Sequence, residues 1–229
     1  MPNWVNNTLT IDDKYLNKVI NADNKVDFGL IVPMPKDLEI EDSSRKETAI
    51  YYYMSHRDNL YFDAVVTDPD FKKVCDVYSR YAILDKNANE KTIAKDMQER
   101  MNKWSNRISG RDNEQTERDE VYELGKRLVY NAVHYNAMTW YDWCNDNWGC
   151  KWNASYTEIE SLNNNQSIVR FNTPWYTPVN YLHTLCEQFH VPFQLHWFEE
   201  QGFQGEITSD GNTITEKDLP FQSPYDDDE

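Results

Sequence analysis

Four thiols, five imidazoles and a surplus of carboxylates are the groups in this sequence that could do chemistry. The thiols, Cys75, Cys144, Cys150 and Cys186, show no C-x-x-C spacing, and five residues separate Cys144 from Cys150. A structural zinc wants four ligands at recognisable intervals, so reduced, partly buried thiols are the expectation, with no metal and no cofactor. The histidines are His56, His134, His183, His190 and His196. His183 and His190 stand seven apart, two turns along a helix and too far for one metal. No H-E-x-x-H, G-x-S-x-G or G-x-x-x-x-G-K-[ST] string occurs, and no catalytic residue is assigned. Triads assemble in space, so an enzyme acting on nucleotides or nucleic acid, with His183 and His196 near carboxylates, stays open as an alternative.

The carboxylates carry the strongest signal. Of 229 residues 39 are acidic and 23 basic, a net charge of −16. Leu128–Glu229 holds 15 acidic and only 3 basic residues, three quarters of the net charge. Phosphates are bound by Lys and Arg that replace condensed counterions, which argues against direct nucleic-acid binding through this half. A basic protein groove is the better electrostatic match. Glu199, Glu200, Glu206 and Asp210, on a strand and turns after residue 198, are the candidate partner-binding residues. Neighbours such as Glu199 and Glu200 point to opposite faces of a strand, which argues against a shared acid–base site. The alternative is that these carboxylates only solvate a hairpin.

The elements that would position these groups follow from periodicity. Trp4–Ile11 alternates as a half-buried strand, and Asp12 or Asp13 would cap a short helix carrying Tyr15, Leu16, Val19 and Ile20. Phe28–Pro35 reads as extended because its prolines disfavour helix in the residues before them. Helices are expected at Arg45–His56, Pro69–Arg80, Glu90–Ile108 and Asn113–Tyr135, with a break around Gly110. In the last of these, Val121, Leu124, Leu128 and Tyr135 form a stripe that packs within the chain or against a partner helix. Thr139 with Asp142 resembles a capping box for a short helix ending at Gly149. Strands are expected at Lys151–Ile159 and Ser167–Thr173, joined through Asn163–Asn165. A helix capped by Thr177 follows, then strands at Pro192–Glu199, Phe203–Thr208 and Thr213–Thr215.

This order predicts an α+β fold, βαββαβ, ferredoxin-like: an antiparallel sheet with a large helical insertion in the first crossover and an extra C-terminal hairpin. The expected domains are 1–35 with 139–220 (ferredoxin-like, discontinuous), 36–138 (helical insertion) and 221–229 (acidic tail). With 39% hydrophobic residues but 8 Trp and 15 Tyr, the core should be built from rings. No run of about 18 apolar residues exists. Met1–Ile11 lacks a basic start and a long apolar stretch, so no secretory signal is expected.

Several strings resemble the Api92-like family, also described as the YubB-like ferredoxin domain. They are Pro2–Asn7, Val32–Pro35, Trp143-Cys144 with Asn147–Ala154, Phe171–Trp175 with Pro178, and Phe198–Gly205. The match covers residues 1–35 and about 139–208 and skips the helical insertion. Cys150 stands where Thr is expected. The resemblance implies a ferredoxin-like fold carried on phages and plasmids. It brings no activity and no catalytic residues. Within these strings Trp148, Trp152 and Trp175 are expected as core anchors. The alternative is a base-stacking platform, for which Lys151 and Arg170 are the only cations on the adjoining strands. The resulting expectation is a non-enzymatic acidic binding protein of a mobile element, cytoplasmic in a host bacterial cell and without a membrane partner. It would inhibit a host defence nucleoprotein with a basic surface, such as a CRISPR effector. A helper for phage or plasmid replication, assembled through the helical insertion, is a further alternative.

Overall fold

The computed structural model describes residues 3–82, 88–162 and 164–222. The acidic tail expected at Asp226–Glu229 lies outside them, as does Asn163. In chain order the elements are β1 (Trp4–Asp12), α1 (Lys46–His56), α2 (Phe62–Thr67), α3 (Pro69–Tyr81), α4 (Glu90–Ile108) and α5 (Glu114–Tyr135). There follow α6 (Trp140–Asn147), β2 (Ser155–Ser161), β3 (Gln166–Pro174), α7 (Val179–Phe189), β4 (Pro192–Glu199), β5 (Gln204–Asp210) and β6 (Ile214–Asp218). The chain divides into two compact units, 1–34 with 144–229, and 35–143.

The first unit holds one six-stranded sheet in the order β2-β3-β1-β4-β5-β6, antiparallel throughout. The first four strands follow the ferredoxin-like order, and β5 and β6 extend it beyond β4. Strand alternation sends Val5, Leu9 and Ile11 of β1 inward with Val169, Phe171 and Leu195, all at most 2% exposed. The core over this face is built from rings. Phe28 stands 4.6 Å from Tyr181 of α7 and edge-on to Trp148 and Phe171, at 5.7 and 6.1 Å between ring centres. Trp148 is buried and donates its indole N–H to the Val32 carbonyl at 2.9 Å.

The second unit is helical. Phe71, Val74, Met97, Trp104, Ile108 and Leu128 share its core. Helix α5 lies against α1 at Gly125, where an added Cβ would come within 1.9 Å of the Ala49 carbonyl oxygen. Val121 and Leu128 of the α5 stripe are buried within this unit, so the stripe packs inside the chain. Arg57 forks onto Asp68 and Asp70 at 2.7 and 2.8 Å. Asp68 also caps α3 by accepting from Asp70 N–H.

Four local expectations are corrected. The segment after Asp12 is a 3₁₀ turn, Asp13–Lys18, with no side-chain cap. At α6 only half of the capping box forms: Asp142 accepts from the Thr139 N–H, and Thr139 Oγ1 has no partner among the described residues. Thr177 does not cap α7, because its hydroxyl donates to the buried Asn7 side chain. Strand β2 starts at Ser155 rather than Lys151. Asn153 is drawn off to accept from Phe28 N–H and to donate to Asp27, which holds that stretch against the 27–28 segment.

Candidate functional site: an acidic, aromatic-walled cavity

The registers align rows of side chains across the inward face of the sheet. One row runs Thr173, Val5, Glu199. The next runs Phe171, Asn7, Trp197, Gly205, Asp218, and the third Val169, Leu9, Leu195, Ile207, Glu216. Each row reaches a carboxylate toward the β4–β6 side, and under the centre of the sheet the rows are apolar except for Asn7 and Thr173, which bond each other. A cavity of about 700 Å³ opens there, bounded by these strands, the start of α7 and the loop between β3 and α7.

Its walls are aromatic. The Trp197 indole lies across Gly205, where an added Cβ would meet three of its ring atoms at 2.7 Å, so glycine makes room for the ring. Trp175, 43% exposed, and Tyr176 stand on one rim, and the exposed Phe203 lines the cavity from the β4–β5 turn. Trp175 is therefore no core anchor, contrary to the sequence expectation. The strand ends at Pro174, and Trp175 turns away at φ +69° with its N–H on the Asn3 carbonyl at 2.9 Å. A bulky residue in that region is rare and persists only where its surroundings enforce it. Asn7 supplies the enforcement. Fully buried, it donates to the Val5 carbonyl and Thr173 Oγ1 and accepts from Thr177, tying β1, β3 and the rim loop together. Trp152, the third expected anchor, is half-buried edge-on to Trp4.

Three carboxylates belong to the same face. Glu199 is 8% exposed; Oε2 accepts from Gln201 N–H at 2.9 Å, while Oε1 is closed off from solvent without a hydrogen-bond partner among the described residues. Glu216 meets His183 of α7 at 3.1 Å, and that imidazole also reaches Glu187 at 3.3 Å. Asp218 lies beside Gly205. The four carboxylates expected to bind a partner are thus dispersed. Glu199 is in the cavity wall. Glu206 alternates to the opposite face, in register with His196 and Lys217, yet it and Lys217 still border the cavity. Glu200 is exposed at the β4–β5 turn, and Asp210 is exposed and occupied in accepting from Asn212 and Thr213 N–H groups. Those two N–H groups, Thr213 first, hold the Asp210 carboxyl below its ordinary range.

His183 and His196 do not converge, since His196 lies on the opposite face, 3.3 Å from Gln204. All four thiols are buried and unbridged. Burial pushes Cys75 and Cys144 up to about 12, well outside the range of a reactive thiolate. Among the described residues no group of His, Cys, Asp and Glu could hold a metal, and no helix is long and apolar enough to cross a membrane. Sequence reasoning missed Asn7, Trp197, Gly205, Glu216 and Asp218. Trp197 stands two positions from Glu199 on the same strand face, and Gly205 stands next to Glu206, both close enough to a candidate to have been found.

Residues 151–228 match the family model of a ferredoxin-like domain in Api92-like protein. That stretch contains β2 to β6 and α7, and so most of the cavity. A solved structure, a protein api92 from Yersinia pseudotuberculosis, is similar at 12% identity, covering 97% of this chain and 99% of that one, with a TM-score of 0.42. No curated protein matches the chain.

Proposed function

We propose that the protein is a non-enzymatic binding protein that docks its acidic sheet unit onto a basic protein surface. The observation that supports this reading is the balance of charge on the sheet. Strands β2 to β6 carry seven carboxylates, Glu158, Glu160, Glu199, Glu206, Asp210, Glu216 and Asp218, whereas residues 128–229 hold only three cations, Lys151, Arg170 and Lys217. Two of those cations are already opposed across strands: Arg170 reaches Glu160 at 2.9 Å and Glu158 at 3.7 Å, and Lys217 sits in register with Glu206. Little positive charge remains to hold phosphates, whereas a groove built for phosphates would attract this surface. In the narrower form of the proposal the protein comes from a mobile genetic element and acts in the bacterial cytoplasm. It covers the nucleic-acid groove of a host defence nucleoprotein such as a CRISPR effector.

The test is capture of purified nucleic-acid-binding effectors by the full chain across a salt series, with nucleic acid as competitor. Screening shortens from about 8 Å at physiological ionic strength to about 3 Å at 1 M, so capture should weaken steeply with salt. Nucleic acid should displace the protein, and Lys at Glu200 and Glu206 should slow association. Salt-insensitive capture, or a ternary complex with nucleic acid still bound, would refute the docking mode.

A further inference from the structure

We propose that the cavity beside β4 and β5 receives a single organic cation, the guanidinium or alkylammonium head of an Arg or Lys side chain presented by a protein partner. This rests on the basic-partner reading above and names the chemistry at its centre. Two independent features converge on it. The first is the wall of rings, Trp175, Tyr176, Trp197 and Phe203, around a space of about 700 Å³. Ring faces attract cations, and Arg also stacks on them. The second is Glu199, more than nine-tenths buried in that wall, whose Oε1 has no hydrogen-bond partner among the described residues. A buried carboxylate left without a counter-charge is costly, and a cation brought in by a ligand supplies it.

Ligands of other classes fit less well. Phosphate or carboxylate would meet Glu199, Glu216 and Asp218 against a single cation of the lining, Lys217. A nucleobase would find rings to stack on, but its backbone would face the same three acids. Trp175 adds a reason to read the rim as functional. It keeps its ring half in solvent on a left-handed backbone that glycine would adopt more easily.

The experiment titrates the full chain with Nα-acetyl-arginine amide, following tryptophan fluorescence and calorimetric heat. Nα-acetyl-citrulline amide, its uncharged near-isostere, tetramethylammonium and a hexa-arginine peptide are run beside it. Capped arginine should saturate and capped citrulline should not. Glu199→Gln, which keeps an acceptor for Gln201 N–H, should weaken arginine binding by roughly ten-fold or more, and Trp175→Ala should also weaken it. Glu160→Gln, on β2 away from the cavity and paired with Arg170, should leave it unchanged. If Glu199→Gln fails to fold, the arginine–citrulline contrast on the unaltered protein and Trp175→Ala still decide the matter. No saturable binding of capped arginine, equal binding of citrulline, or indifference to both cavity variants overturns the proposal. Tetramethylammonium binding tighter than both capped arginine and the peptide overturns the side-chain source and points to a free metabolite. The two readings fail separately. A protein that captures effectors in a salt-dependent way with Glu199→Gln at full strength loses the cavity and keeps the charged docking. One that binds capped arginine but captures no basic protein does the reverse.

Discussion

Truncating two tryptophans of similar sequence surroundings should have very unequal consequences. Trp148 is 6% exposed, packs edge-on to Phe28 at 5.7 Å and donates to the Val32 carbonyl. Trp148→Ala leaves a hole the size of an indole, which costs about 3–5 kcal/mol. The orphaned carbonyl keeps the loss in the upper part of that range. Trp175 is 43% exposed at the rim of an open cavity, so Trp175→Ala removes about half a ring's burial and closes off no void, a loss of about 1 kcal/mol. Trp175→Gly should regain part of that, since glycine adopts φ +69° without steric cost. With a urea slope of about 2 kcal/mol/M, the midpoints should fall by about 2 M for Trp148→Ala and about 0.5 M for Trp175→Ala. Because the chain has two compact units, the readout is hydrogen exchange of peptides from β1, β3 and β4, which reports on the sheet alone. Equal losses for the two variants would mean that the Trp175 ring belongs to the core, and the rim would lose its functional reading.

Gly125→Ala should destabilise the helical unit by about 2 kcal/mol. The helix-propensity gain of about 1 kcal/mol is outweighed by a Cβ driven into the Ala49 backbone, which no rotamer change relieves. Far-UV circular dichroism melts would show it, and a raised melting temperature would refute the close approach. Asp68→Ala should cost about 1–2 kcal/mol, from the α3 cap together with one arm of the Arg57 fork; an unchanged urea midpoint would show that the cap contributes nothing. Burial raises the Asp142 carboxyl above its ordinary value, against the pull of the Met138 N–H, Lys46 and the Thr139 N–H. The folded protein therefore holds that proton more tightly than the unfolded chain does. The acid costs stability as pH rises from the unfolded carboxylate range through the raised value, and the cost is complete above it. Asp142→Asn should accordingly stabilise at pH 7 and give no gain at about pH 3. A gain independent of pH would contradict the shift.

Periodicity made the elements readable because each carries its own pattern. The helix at Glu90–Ile108 and the strand at Pro192–Glu199 were expected with the bounds observed, from a polar-faced stripe and from alternation. The sheet order followed from the order of elements. What stayed hidden depends on residues far apart in sequence. Asn7 and Thr177 meet across 170 positions, so neither an N-cap rule nor alternation could show that Thr177 serves β1 rather than α7. The candidate carboxylates were chosen by proximity along the chain. Proximity is misleading on a strand and its turn, where Glu199 and Glu206 take opposite faces. The Trp175 ring resembled a core anchor by size and setting, and only its backbone angle sends it to the rim.

The position of the cavity follows from the way the fold is extended. Helix α7 and the Phe28–Trp148 rings lie over the inward face of β1, β3 and β4, where the rows are apolar apart from the Asn7–Thr173 pair and Glu199. Strands β5 and β6 carry that face outward beyond what these elements cover. At their far side the rows end in Asp218 and Glu216, exposed residues on an exposed strand. A ledge of this kind must be covered or polar. Here it is both: Trp197 folds over Gly205 to cover the inner part, and the carboxylates keep the outer part wet. A strut from α7 to β6, His183 to Glu216, reaches across the gap. Extension of a four-strand plan by a hairpin thus creates, with no change to the core, a recess whose inner wall is aromatic and whose outer wall is anionic. It is a site placed on a fold rather than dictated by it, and those two walls are the ones a cationic side chain requires.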